Sequence, residues 1–133
     1  MNEIKLHEIA IETAFNAYAP YSAFRVGAAL LTEDGTVYTG VNVENRSFGL
    51  TVCAERNAIF AAITDSKKNF TALALHCPDA DYPVPPCGAC RQVISEFVGP
   101  EFPVYYSGKD KKMKKTSAGE LLPLDSLHDL KTD

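Results

Sequence analysis

Short apolar segments of two different periodicities alternate along this chain, and that alternation is what most limits its fold. A β-prone run, residues 70–77, lies between residues 53–63 and 87–98, whose apolar side chains recur at helical spacing. Another short strand, residues 103–107, follows the second helical segment. Because strand–helix–strand order lets neighbouring strands run parallel, the pattern predicts an α/β fold with helices on both faces of a sheet.

The remaining strands are predicted at the two ends of the chain. Residues 24–32 and 36–43 flank the Asp34-Gly35 turn signal, which is typical of an antiparallel hairpin. A last strand is predicted over residues 114–117, followed by a helical turn over 120–122. We therefore predict a three-layer α/β/α fold with a mixed sheet of about five strands, in a single domain spanning residues 1–133.

Two helical segments carry further expectations. Residues 2–18 predict an opening helix that ends before Pro20. Along it the apolar residues Ile4, Ile11, Phe15 and Tyr18 recur at helical spacing. Residues 53–63 are apolar on nearly every side, which predicts a helix that is buried all round.

The charge balance of the chain excludes several classes of partner. The formal net charge of the 133 residues is −4 at pH 7, whereas nucleic-acid binding depends on clustered Lys and Arg. The one basic run, residues 109–115 with five lysines, is predicted to be a solvated surface loop. We therefore expect no nucleic-acid partner.

The distribution of apolar residues also predicts where the protein works. The charged N-terminus lacks the compact apolar stretch of a signal peptide, and no apolar run approaches the ~20 residues that span a bilayer. We therefore expect a cytoplasmic protein with no membrane partner. In that compartment cysteines are reduced, and a cysteine pattern more often serves metal binding or catalysis than disulfides.

Three of the four cysteines occur at the predicted starts of helices. One lies in Cys53-Ala54-Glu55, and the others are Cys87 and Cys90. Free N–H groups at a helix start favour the thiolate, which is the form that binds zinc. Because Cys87 and Cys90 share a helix face, both can reach one ion, with Cys53 as a third ligand. Three protein ligands leave a tetrahedral zinc one open position, which is typical of a catalytic site.

A closed structural zinc site is the alternative from a different functional class. It would need a fourth ligand, for which Cys77 is the obvious candidate, and it would have no need of Glu55. Cys77 falls at the end of a predicted strand and is interpreted as a buried thiol. The three histidines, His7, His76 and His128, lack ligand spacing and are interpreted as structural or exposed.

The combination of motifs is far more specific than any one of them. Cysteine followed two positions later by glutamate, and then Pro-Cys-x-x-Cys, is the signature of zinc deaminases that act on nucleobases. In this signature the glutamate, here Glu55, is not a metal ligand but transfers protons.

At this point the sequence resembles the small, homotetrameric cytidine deaminases with three cysteine ligands. The resemblance extends over residues 14–123. It rests on Tyr18-Ala19-Pro20-Tyr21-Ser22, Val26-Gly27-Ala28-Ala29-Leu30, Asn42-Val43-Glu44-Asn45, Cys53-Ala54-Glu55-Arg56 and Pro86-Cys87-Gly88-Ala89-Cys90-Arg91-Gln92. It implies one Zn²⁺ per subunit and hydrolytic deamination of cytidine, and of deoxycytidine, to uridine and ammonia in pyrimidine salvage. The alternative substrate is another aminopyrimidine nucleoside such as blasticidin S.

The resemblance also implies roles for residues around the metal. Asn42 and Glu44 would hold the ribose hydroxyls, since alternate residues of a strand share one face. The other substrate contacts would come from Phe24 against the pyrimidine, from Val43, and from the backbone N–H of Ala54. Arg56 would donate to the thiolates and restore Lewis acidity to a zinc that carries three negative sulfurs.

Assembly is the last property that the resemblance implies. The family forms homotetramers in which subunits complete one another's pockets, and Phe48 lies in the loop that would reach a neighbour. The family usually has an aromatic residue shortly after the segment corresponding to Leu122-Pro123. This chain has residues 124–127 there, Leu-Asp-Ser-Leu, so Leu127 would have to supply that apolar contact.

Overall fold

The computed structural model describes residues 1–132 and contains five strands and four α-helices. The strands are β1 (Gly27–Thr32), β2 (Val37–Val41), β3 (Phe70–His76), β4 (Pro103–Ser107) and β5 (Lys114–Ser117). The helices are α1 (Glu3–Ala14), α2 (Ala54–Thr64), α3 (Gly88–Phe97) and α4 (Ala118–Leu121), with short 3₁₀ turns at Phe48–Leu50 and His128–Leu130.

The five strands form one mixed sheet in the order β2-β1-β3-β4-β5. β3 and β4 run parallel, with Leu73 opposite Val104, and α3 lies in the connection between them. The other neighbouring pairs are antiparallel, including the β1–β2 hairpin, in which Gly35 takes a left-handed backbone with φ of +89°. The predicted mixed sheet of five strands is confirmed.

Helices cover both faces of this sheet, as predicted. Because side chains alternate along a strand, each strand contributes to two cores. The face against α2, α3 and α4 buries Ala28, Leu30, Leu73, Leu75 and Val104. The face against α1 buries Ala29 and Ala74, with Leu31, Ala72 and Tyr105 packed around them.

The opening helix is shorter than predicted. It ends at Ala14, and the backbone N–H of Tyr18 donates instead to the carbonyl of Asn42 (3.0 Å). Pairing with a segment distant in sequence therefore removes the last predicted turn. The apolar residues that recur at helical spacing do not form the buried face, because Ile4 and Phe15 are 59% and 58% exposed. The residues that contact the sheet are Leu6, His7, Ala10 and Ala14.

α2 also departs from the prediction of complete burial. Its inner face is buried, but Phe60 and Ile63 are 47% and 39% exposed. The helix has sheet on one side only, and the rest of residues 1–132 covers the apolar side chains of its outer face only in part.

The fold places two helix starts side by side. Cys53 is the N-cap of α2 and Cys87 is the N-cap of α3, and the two helices pack on the same face of the sheet. None of the helices in residues 1–132 combines the length and apolar character that a bilayer crossing needs.

Candidate metal centre and nucleoside cavity

The three cysteines singled out by the sequence meet at these adjacent helix starts. The Sγ atoms of Cys53 and Cys87 are 3.7 Å apart, and those of Cys87 and Cys90 are 3.4 Å apart. All three Sγ atoms lie within 4.8 Å of one another. Cys77 is fully buried and lies outside this cluster, so within residues 1–132 the cluster has three sulfurs and no fourth cysteine.

The protonation behaviour of the sulfurs fits a zinc ion. A hydrogen bond from the Cys90 thiol, together with the nearby Arg56, lowers the pKa of Cys53 to about 5. The same hydrogen bond raises the pKa of Cys90, because the Cys90 thiol is its donor. Three thiol groups this close together cannot all lose their protons without bringing negative charges together. A divalent cation that binds thiolates offsets that repulsion.

Arg56 provides a second observation in favour of a metal. Its Nη2 lies 3.4 Å from Cys53 Sγ, so it can donate to that sulfur. Its Nε is buried and has no acceptor among the described residues. A cationic guanidinium with a spare donor next to a sulfur cluster suits a metal site with excess thiolate charge.

Glu55 follows two positions after Cys53 and is almost entirely buried, with 4% of its surface exposed. Burial raises the pKa of Glu55 to about 7, with the neighbouring Cys53 acting in the same direction. A carboxyl group that titrates near neutrality can both accept and release a proton at physiological pH. Glu55 is thus suited to general acid–base chemistry beside the three sulfurs.

A cavity of about 460 Å³ opens in front of this centre. Its lining includes Cys53, Ala54, Glu55 and Cys87. Its walls include Phe24, Asn42 and Glu44, so the structure brings most of the predicted substrate contacts to one cavity. Its volume lies within the usual range for small-molecule sites.

Asn42 and Glu44 share a side of the chain, as expected for alternate residues, and both also hold the segment that bears Phe24. Asn42 donates from Nδ2 to the Phe24 carbonyl (2.8 Å) and accepts from the Val26 N–H (2.8 Å). Glu44 accepts from the Tyr21 and Ser22 N–H groups at 3.0 and 3.1 Å, and from the Ser22 hydroxyl. These hydrogen bonds, led by that from the hydroxyl, lower the pKa of Glu44.

Val43 takes a different position from its neighbours. Its side chain is 46% exposed and is not part of the cavity lining, because successive residues of an extended segment point to opposite sides. Its backbone pairs with Tyr18 and with Val52. Val43 therefore supports the site through main-chain pairing.

The cavity also has lining residues that the sequence patterns do not single out. Thr51 and Leu75 come from the segment before α2 and from β3, and Val84 and Pro85 come from the loop before α3. The position of Val84-Pro85 just ahead of Pro86-Cys87 was the available signal, since a loop that ends at a metal ligand must pass the metal.

Comparison with known proteins agrees with this geometry. Residues 1–106 match the family described as the cytidine and deoxycytidylate deaminase zinc-binding region. A cytidine deaminase of Sporosarcina psychrophila is 51% identical over 107 residues, 80% of this chain and 78% of the relative. Another, of Halalkalibacterium halodurans, is 45% identical over 123 residues, 92% of each chain.

A solved structure extends the similarity to the fold. The crystal structure of cytidine deaminase from Burkholderia pseudomallei superposes with a TM-score of 0.88 at 46% sequence identity. The match covers 92% of this chain and 98% of that chain. With its three-sulfur centre and matching fold, this chain belongs to the cytidine and deoxycytidylate deaminase zinc-binding family.

Proposed function

We propose that this protein is a zinc-dependent cytidine deaminase, which hydrolyses cytidine, and deoxycytidine, to uridine and ammonia. The observation that carries the proposal is the position of Glu55, which is buried beside the Cys53, Cys87 and Cys90 sulfurs and lines a cavity of about 460 Å³. A structural zinc module would have no use for a buried carboxyl group there.

The three cysteines hold one Zn²⁺, with Arg56 donating to their sulfurs. When bound, zinc supplies a Lewis acid that lowers the pKa of a water molecule. The Glu55 carboxylate accepts a proton from the attacking water, passes it to N3 of the pyrimidine, and then assists protonation of the amino group that leaves C4. One carboxyl group thus serves as base and then as acid, and the products are the 4-oxo ring and ammonia.

Substrate contacts follow from the cavity walls. Phe24 packs against the pyrimidine, and Ala54 offers a first-turn N–H of α2, which has no partner within its helix, to the ring carbonyl. A carboxylate has about four acceptor sites, and Glu44 uses three of them within the chain. The remaining site, together with Asn42, is proposed to accept the ribose hydroxyls.

We propose a homotetramer in which neighbouring subunits complete each pocket. Exposed apolar side chains support this, since Phe48, Leu50 and Phe60 are 74%, 67% and 47% exposed. Leu127, 51% exposed, is proposed to replace the usual aromatic contact. A cytoplasmic role in pyrimidine salvage is supported by the four free cysteines, since a reducing compartment keeps thiols available for a metal.

The decisive experiment replaces Glu55 with Gln and follows the absorbance change as cytidine becomes uridine. We expect a loss of roughly 100- to 10,000-fold in kcat. Zinc should remain at one per chain, because the side chain that changes is not a ligand. Glu12→Gln, a matched change at an exposed glutamate of α1, should leave kcat unchanged.

Two results would contradict the proposal. Near-normal turnover by Glu55→Gln would remove Glu55 from the chemistry, and full activity after chelation of the metal would remove zinc. A substrate panel of cytidine, deoxycytidine, cytosine and blasticidin S tests the specificity. The Asn42–Glu44 pair predicts that the two nucleosides with an unmodified sugar are the better substrates and that the free base is poor.

A further inference from the structure

One ion pair next to the segment that bears Phe24 has geometry beyond that of an ordinary surface pair. Asp79 Oδ2 accepts from the Arg25 backbone N–H (2.8 Å) and from its Nε (3.0 Å), and Oδ1 accepts from Nη2 (2.8 Å). The side chains are 36% and 24% exposed. Three hydrogen bonds to one carboxylate fix the direction of both the guanidinium and the main chain of Arg25.

The Arg25 end of this pair belongs to a segment that side chains hold in place. The consecutive backbone N–H groups of residues 24–26 donate to Ser22 Oγ (3.0 Å), Asp79 Oδ2 (2.8 Å) and Asn42 Oδ1 (2.8 Å). Strand pairing adds little here, because β1 begins only at Gly27 and the Asn42 N–H donates to the Val26 carbonyl at a long 3.4 Å. The position of Phe24, which lines the cavity, therefore depends on these three acceptors and on the bond from Asn42 Nδ2 to the Phe24 carbonyl (2.8 Å).

The Asp79 end belongs to a different part of the chain that also contributes residues to the cavity lining. Asp79 lies in the loop between β3 and α3, which goes on to Val84 and Pro85 in the cavity lining. This loop is restrained near its start by a hydrogen bond from the Lys109 N–H to the Ala80 carbonyl (2.7 Å). The Arg25–Asp79 pair is thus a direct link between the loop and the Phe24 segment.

We propose that Arg25 and Asp79 are positioning residues, which set the separation across the nucleoside cavity between Phe24 and the Val84–Pro85 wall. The proposal rests on the proposed function, since the cavity must bind a nucleoside for its width to matter. Hydrogen bonding from Arg25 lowers the pKa of Asp79, so both groups are charged at neutral pH and the link is in place during turnover.

The link should affect binding more than chemistry. Glu55 and Cys53 lie at the start of α2, which neither Arg25 nor Asp79 contacts through a hydrogen bond. The Cys87 end of the loop has its own restraint, because Arg91 Nε donates to the Pro86 carbonyl (2.8 Å). Loss of the link would therefore loosen the ring-binding walls while the metal centre keeps its arrangement.

The test compares Asp79→Ala and Arg25→Ala with the wild type in three measurements: KM and kcat for cytidine, the Kd for the product uridine, and zinc content. We expect KM and the uridine Kd to rise about tenfold, the equivalent of one hydrogen bond to a charged group. The value of kcat should stay within about twofold, and zinc at one per chain. Arg25→Lys keeps the positive charge but loses the paired donors of the guanidinium, so it should recover part of the affinity that Arg25→Ala loses.

The chain offers a matched control in its other ion pair within residues 1–132. Lys67 Nζ lies 2.7 Å from Asp34 Oδ2, with side chains 39% and 46% exposed. Asp34 lies in the β1–β2 turn and Lys67 follows α2, and neither residue lines the cavity. Lys67→Ala removes a comparable pair and should leave KM and the uridine Kd unchanged.

Three outcomes would overturn the proposal. If Asp79→Ala and Arg25→Ala leave KM and the uridine Kd unchanged, as Lys67→Ala is expected to, the Arg25–Asp79 pair is an ordinary surface contact. If kcat and zinc content fall together with affinity, even in the milder variant Asp79→Asn, the pair has a general structural role. A wild type that neither turns over cytidine nor binds uridine would refute the proposed function and this inference with it, whereas an active wild type with indifferent variants refutes the inference alone.

Discussion

Gly40 provides a sharp test of how the sheet positions the metal centre. This residue of β2 faces the first turn of α2, and a Cβ placed there would lie 2.4 Å from both the Ala54 carbonyl oxygen and the Ala58 nitrogen. Ordinary van der Waals contact begins near 3.4 Å, so Gly40→Ala requires the start of α2 to retreat by about 1 Å. The opposing atoms are backbone, so no side-chain rotation can relieve the clash.

The displacement has two consequences of different size. Overpacking of this kind costs about 1–3 kcal/mol of stability. The start of α2 also carries Cys53 as its N-cap and Glu55 in its first turn. Since a misplacement of about 1 Å in catalytic groups can cost on the order of 100-fold in rate, we expect Gly40→Ala to lose activity far beyond its loss of stability.

The assay measures the urea midpoint, the zinc content and kcat for Gly40→Ala and for a matched variant, Gly27→Ala. A Cβ at Gly27 would meet Ala10 and Ala14 of α1 at the same 2.4 Å, but α1 contributes no residue to the cavity lining. Both variants should lose similar stability, and only Gly40→Ala should lose zinc affinity and kcat. Equal kcat in the two variants would refute the argument that β2 sets the position of the metal centre.

Two further predictions concern other parts of the molecule. Burial lowers the pKa of His76 to about 4, against about 6.5 when unfolded, so the stability present above pH 6.5 is lost as the pH falls towards 4. His76→Asn, which can still bond to Ser107, should make the free energy of unfolding from urea titrations vary less with pH across that window, by up to roughly 3 kcal/mol, and an unchanged pH slope would contradict this. Arg56→Gln removes the cation beside Cys53 and should weaken zinc binding about 10- to 100-fold in competition with a chelating dye; unaltered affinity would exclude a role for Arg56 at the sulfurs.

Local sequence patterns predicted those strands and helices whose own residues show the expected periodicity. The strands Pro103–Ser107 and Lys114–Ser117 lie where the sequence predicts them, because β-prone runs between turn residues have few competing conformations. The end of α1 could not be predicted in this way. The Tyr18 N–H donates to the Asn42 carbonyl, and no property of residues 15–18 indicates a hydrogen-bond partner so far along the chain.

The candidate site likewise combines features that local patterns predict with features that depend on distant parts of the chain. The cysteine cluster could be predicted because Cys87 and Cys90 are three apart at a helix start, so their proximity is a local property. For Val84 and Pro85 the sequence offers only their place just ahead of Pro86-Cys87, and a loop without periodicity does not show which of its side chains line the cavity. The exposed face of α2 was also missed, because an apolar helix does not show how much of its surface the rest of the chain covers.

The sequence by itself determined the chemistry of this protein, namely three thiols and a glutamate at two helix starts, within a mixed α/β fold. It did so because those groups act through short, fixed spacings that survive in any correct fold. The tertiary structure alone decided the shape of the cavity in front of them. Arg25 and Asp79 are 54 positions apart, and their three hydrogen bonds depend on how β1 and β3 bring their flanking loops together. Contacts of that kind arise from packing, which a linear pattern of residue types does not encode.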